Sequence, residues 1–148
     1  MLAPERRARH SANEPASPAA TPAAPPAAAG SADARAAAVL SKAVIRAADR
    51  LAIARGTLGA ILGVSPATIS RLYAGEYRLD ARRKEWEHAV LLVRVFRSLD
   101  AIVGNEETAR RWLTSENTGL SARPIDLLVK SEGLVRVAHY LDATRGIV

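Results

Sequence analysis

Arg71, Ser70 and Ser65 are polar side chains gathered on one short segment, Arg55–Ala74, which reads RGTLGAILGVSPATISRLYA. A guanidinium can meet a guanine edge or a phosphate, and a serine hydroxyl can donate to either. Ser65 stands before Pro66, a residue suited to the first position of a helix. The free N–H groups and the dipole at such a start favour an anion. Pro66 and Ala67 offer no side-chain hydrogen bond, and Ala67 can touch only a thymine methyl. Thr57 and Thr68 complete this candidate DNA-facing set. Base readout from one copy is therefore thin. A symmetric dimer reading two half-sites would restore it.

The spacing around these residues predicts a helix-turn-helix. Leu58, Leu62, Val64, Ile69 and Leu72 are apolar where two short helices must press together. Gly63 falls at the turn, and Gly59 where a small residue admits the second helix. Ser65, Pro66, Ala67, Ser70 and Arg71 then lie on the outward face, the one such a motif lays in the major groove. A plain helical hairpin has the same apolar pattern and is the competing reading.

Around this pair the sequence predicts an all-α chain. A first helix is expected over 34–54, capped by Asp33, with Leu40, Val44, Ala47 and Leu51 on one stripe and Gly56 ending it. Two further helices follow, 57–62 capped by Thr57 and one starting behind Ser65 and stopped by Gly75. A long helix over 84–103 carries two apolar stripes, one with Trp86, Val90, Val93 and Phe96, the other with Leu91, Leu92, Val95, Leu99 and Ile102. Both need cover, from this chain or from a second copy. A short helix over 106–113 turns Ala109, Trp112 and Leu113 inward. Pro124 opens the next helical stretch, Gly133 interrupts it, and Leu134, Val137, Ala138 and Leu141 form a last stripe ended by Gly146. The chain closes on Ile147 and Val148, an apolar end that would fray unless held.

The expected organisation is a disordered Ala/Pro-rich arm over 1–32, a helix-turn-helix domain over 33–80, a connecting and dimerisation helix over 81–104, and a small binding domain over 105–148. Six of the eight prolines precede residue 33, in a segment with little apolar mass to offset its ordering entropy. Arg6, Arg7 and Arg9 could let that arm touch DNA outside the groove. Net charge is +6, and the helix-turn-helix segment 31–80 holds seven basic against four acidic residues. That favours approach to a phosphate backbone. The chain has no cysteine, no apolar run of membrane-spanning length and no secretory leader, so a cytoplasmic protein without membrane contact is expected.

Catalytic patterns are poor. His10, His88 and His139 form no HExxH pair, and no paired-carboxylate spacing or glycine-rich phosphate loop occurs. His88 with Glu85 reads as a solvated helix pair, and His139 as a surface or interface residue. No enzyme, cofactor or metal site is expected.

The C-terminal segment Arg110–Val148 resembles the toxin-binding domain of the Xre/MbcA/ParS antitoxin family. The matching pieces are Trp112-Leu113, a polar turn with Asn117 and Leu120, Pro124-Ile125-Asp126-Leu127-Leu128, then Gly133, Val137, Leu141 and the ending Gly146-Ile147-Val148. A helix-turn-helix before this segment is the family's order of parts. Two departures stand out. Ser121-Ala122-Arg123 occupies a place where relatives carry glycine, and Gly59 a place where alanine is commoner. The resemblance implies a type II antitoxin whose partner is a RES-domain toxin that consumes NAD. It implies that the C-terminal end, Arg145, Gly146, Ile147 and Val148, blocks the NAD pocket. Trp112, Asn117, Arg136 and Tyr140 join these as candidate toxin-binding residues. A homodimer within a toxin–antitoxin hetero-oligomer, bound to operator DNA, is the expected assembly. The competing functions are a stand-alone transcription regulator whose C-terminal half only dimerises, and a structural or localisation adaptor.

Overall fold

The structure is a computed structural model that describes residues 26–147. The arm residues 1–25, with Arg6, Arg7, Arg9 and His10, lie outside it, as does Val148. The described residues form seven helices in order: α1 Pro26–Arg50, α2 Arg55–Leu62, α3 Pro66–Ala74, α4 Lys84–Val103, α5 Glu106–Thr114, α6 Pro124–Leu128 and α7 Ser131–Ile147. Among the described residues there is no β-strand, only an isolated bridge between Asn117 and Ala122.

The central element is α4. It packs on α7 and α1 along its length and meets α2 and α5 at its sides. Ala89, Leu92, Val95 and Leu99 are buried, and Trp86, Leu91, Phe96 and Ile102 pack half-buried against the core. The two apolar stripes thus find most of their cover within the chain itself. Val90 is the part of them left to solvent. One continuous core runs from Val44 and Leu58 through Leu92 to Leu134 and Leu141, joining both halves.

Helix boundaries depart from expectation where tertiary contacts overrule local signals. The first helix starts at Pro26, so 26–32 are helical rather than part of a disordered arm and Asp33 lies inside the helix instead of capping it. It stops at Arg50, four residues early. Ala52 takes φ 55°, Ile53 N–H donates to the Ala48 carbonyl at 2.8 Å and Ala52 N–H to that of Asp49 at 3.1 Å. This pair of bonds is the Schellman closure, here with alanine where glycine is usual. It lets Ile53 enter the core. The second helix consequently begins at Arg55, with Ala54 at its cap and Thr57 inside it.

Gly133 does not interrupt α7. It sits in its first turn, and the break falls at Val129–Lys130. A Cβ at Gly133 would lie 2.1 Å from the Leu127 carbonyl oxygen, so only glycine lets α6 and α7 meet this closely. Gly146 likewise does not end the helix, which continues to Ile147.

Candidate functional site

The helix-turn-helix assembles as its spacing predicts. Leu58, Leu62, Ile69 and Leu72 are buried between α2, α3 and the core, with Val64 half-buried beside them. Gly63 closes α2 at φ 70°, a left-handed turn that a side chain would strain. Gly59 gives the close approach: a Cβ there would stand 3.2 Å from the Val64 carbonyl oxygen and 3.3 Å from Ile69 Cγ1. Ser65 caps α3, its Oγ accepting from Thr68 N–H at 3.2 Å, and Pro66 occupies the first turn.

Ser65, Pro66, Ala67, Ser70 and Arg71 are all exposed on one face of α3, with Thr57 and Thr68 half-buried. The cap bond engages Ser65 Oγ, and Thr68 Oγ1 lies 3.0 Å from it. Arg71 has its guanidinium carbon 5.5 Å from the centre of the Tyr77 ring, a cation–π distance. Tyr77 is held in turn: its hydroxyl donates to Glu85 Oε1 at 2.6 Å. Burial first, then this bond and the Glu85 charge, push the Tyr77 hydroxyl pKa up to about 12. Glu85 is only 4% exposed, which corrects its reading as half of a solvated pair with His88. The His88 ring instead bonds Ser131 Oγ through Nε2 at 3.1 Å.

Sequence reasoning missed this Arg71–Tyr77–Glu85 arrangement, and with it Arg83 and Lys84. These two line a hollow of about 510 Å³ together with Ser65, Thr68 and Arg71. The only sequence signal was the run Arg82-Arg83-Lys84. Its nearness to α3 depends on how the loop between α3 and α4 folds back. Leu79 anchors that loop, buried, with its N–H donating to the buried Ser41 Oγ at 3.1 Å.

The C-terminal candidates form a second cluster. Trp112 of α5 and Tyr140 of α7 stack with ring centres 6.4 Å apart and planes 22° apart. Tyr140 also closes against Gly119, where a Cβ would lie 2.7 Å from Tyr140 Cε2. Asn117 sets the loop, accepting Leu120 N–H on Oδ1 at 3.0 Å and donating its own N–H to the Ala122 carbonyl at 3.0 Å. Leu120 is buried by that turn. Ser121 takes φ 55°, a left-handed turn that glycine adopts more easily. Arg136 is exposed on α7, as is His139. Arg145 and Gly146 are exposed near the helix end, with Arg145 Nη1 3.4 Å from Ser98 Oγ. The Ile147 side chain and all of Val148 lie outside the described residues. The structure therefore unites Trp112, Asn117 and Tyr140 around one loop and sets Arg145 apart on another face of α7, beside α4.

Comparison with known proteins decides the family. Residues 31–94 match the antitoxin Xre-like helix-turn-helix domain, and residues 98–146 match the antitoxin Xre/MbcA/ParS C-terminal toxin-binding domain. The chain belongs to the Xre/MbcA/ParS antitoxin family. A chain in the crystal structure of the M. tuberculosis MbcT–MbcA toxin–antitoxin complex is similar to this antitoxin, at 29% identity and a TM-score of 0.57. The likeness covers 74% of this chain and 96% of that one. No curated protein matches it.

The protein is thus an antitoxin of a toxin–antitoxin system, with a DNA-binding helix-turn-helix joined to a toxin-binding module. No helix among the described residues is long and apolar enough to cross a membrane. No group of three or more potential metal ligands occurs among them.

Proposed function

We propose that this antitoxin neutralises a RES-domain toxin that consumes NAD, and that it represses its own operon. In this reading the end of α7, Arg145 to Val148, enters the mouth of the NAD pocket. Arg145 pairs with an acidic group of the toxin. Trp112, Asn117, Arg136 and Tyr140 belong to the same partner surface. The antitoxin is itself no enzyme and acts in the cytoplasm, as a homodimer within the hetero-oligomer.

The observation that carries this reading is the build of α7. Leu134, Val137, Ala138 and Leu141 fix the helix in the core, while its last described turn stands exposed at Arg145 and Gly146. A helix anchored by its buried face, with an exposed last turn, is suited to insertion, because little ordering entropy remains to be lost on binding. Stopping the chain after Thr144 tests the plug. NAD loss should return in cells making both proteins, and continued protection would remove the plug from the mechanism.

For the DNA, the exposed face of α3 supports a major-groove position with Arg71 at a base edge or phosphate. Arg71→Ala should weaken operator binding. If the contact is a phosphate, it should also lower the salt slope by about 1. Undiminished binding would take Arg71 off the contact surface.

A further inference from the structure

One apolar surface of the antitoxin has no cover from the described residues. It is the groove between α1 and α4, floored by Val39, Leu40, Ala43, Trp86, Val90 and Val93. Val39 is 64% exposed and Val90 44%, the two most exposed large apolar residues among those described. The hollow measures about 410 Å³. A second hollow of about 190 Å³ lies between the same two helices beside Phe96. Contiguous exposed apolar surface with a polar rim marks an interaction site.

The rim tells what kind of partner fits. Arg94, Arg97 and Arg145 line the larger hollow, and Arg46 and Arg50 the smaller; neither has an acidic residue in its lining. Asp142 holds Arg94, and Arg50 pairs with Glu106 at 3.6 Å. Arg46 and Arg97 have no ion-pair partner among the described residues. A second copy seated on this groove would bring one set of arginines toward another. Arginine cannot shed its charge to relieve that, and like charges across an interface oppose association. An acidic edge on the partner removes the problem.

The position of the groove points to the toxin. Ser98 and Arg145, at one wall, belong to the matched toxin-binding domain, whereas Val39, Trp86 and Val90 belong to the matched helix-turn-helix domain. The groove therefore continues the toxin-binding surface onto the DNA-binding half.

We propose that the α1–α4 groove is a second docking site for the toxin, receiving a segment with an apolar stripe edged by aspartate or glutamate. This rests on the toxin-binding reading but not on the C-terminal plug. The apolar stripe fills the floor, as in helix-in-groove recognition, and the acidic edge meets Arg97 and Arg46. Toxin docked here touches α1 and α4 directly, which brings it onto α4, the helix that packs against α2.

The test is the affinity of the full-length antitoxin for the RES-domain protein encoded by the adjacent gene, measured by titration calorimetry. Three forms are compared with the native chain: V39D/V90D, R97E and the chain stopped after Thr144. V39D/V90D and R97E should each weaken toxin binding at least tenfold, and R97E should also flatten its salt dependence. The altered side chains are exposed, so melting temperature should stay unchanged. The shortened chain should still bind through the groove while failing to protect NAD. Native-strength binding by both groove variants would overturn the proposal. So would a shift of V39D/V90D from dimer to monomer with toxin affinity intact, which would make a second copy the occupant. A native chain that does not bind the toxin would overturn the toxin reading itself along with the groove.

Discussion

Gly63 and Gly133 stand at joints between consecutive helices, one in each half of the antitoxin, and the two joints need glycine for opposite reasons. Gly63 turns at φ 70° with nothing within 4 Å of a Cβ built on it. Gly133 is helical, and its Cβ would collide with the Leu127 carbonyl at 2.1 Å. The first requirement belongs to the backbone of one residue. The second belongs to the meeting of α6 and α7. The α2–α3 joint is thus set by a local turn, and the α6–α7 joint by a close approach between elements.

Substitution at these joints sharpens the contrast. Gly133→Ala should cost about 3 kcal/mol or more in urea unfolding, because overpacking meets backbone that cannot swing aside. Gly63→Ala should cost about 1–2 kcal/mol, the strain of a left-handed alanine and nothing else. Equal losses at both sites would erase the distinction. Each half also contains the reverse case, a non-glycine at positive φ: Ala52 and Ser121, both at 55°. Ala52→Gly and Ser121→Gly should each gain about 0.5–1 kcal/mol, with strain relief outweighing the added freedom of the unfolded chain. A loss at either site would show that its turn is not strained.

A pH titration probes the joint between α3 and α4 with a smaller effect. The Tyr77 hydroxyl is raised from 10.0 to about 12 by burial and by Glu85, so folding favours its protonated form. That contribution is complete below pH 10 and is lost as pH rises through about 12. Ultraviolet titration of the tyrosinates should show Tyr77 as a late step, absent from Tyr77→Phe. Loss of an ordinary step near pH 10 in that variant, in place of the late one, would separate Tyr77 from Glu85.

The same contrast explains what was legible in the sequence. Ser65, Pro66, Gly63 and Gly75 announce α3 and its flanks because each acts on its own backbone. The span of α4 was equally plain, being a long apolar pattern ended by Gly104. Gly133 and Gly146 misled because a glycine inside a helix looks like a stop until its neighbours in space are known. The early end of α1 was hidden because Ala52 carries no sign of a left-handed turn; the burial of Ile53 imposes it. The contact of Tyr77 with Glu85 was likewise out of reach. It needs the loop over 75–83 to fold back, and that depends on Leu79 finding Ser41, 38 positions earlier in the chain.

Cellular NAD is the most direct gauge of the central claim, that the C-terminal module of this antitoxin is buried against a toxin that destroys NAD. The gene adjacent to that of the antitoxin is induced alone, then together with the intact antitoxin. The account predicts NAD collapse and growth arrest in the first case and normal NAD and growth in the second, with the two proteins purifying as one complex. Collapse that persists despite abundant folded antitoxin, or NAD that never falls with the toxin alone, would contradict it.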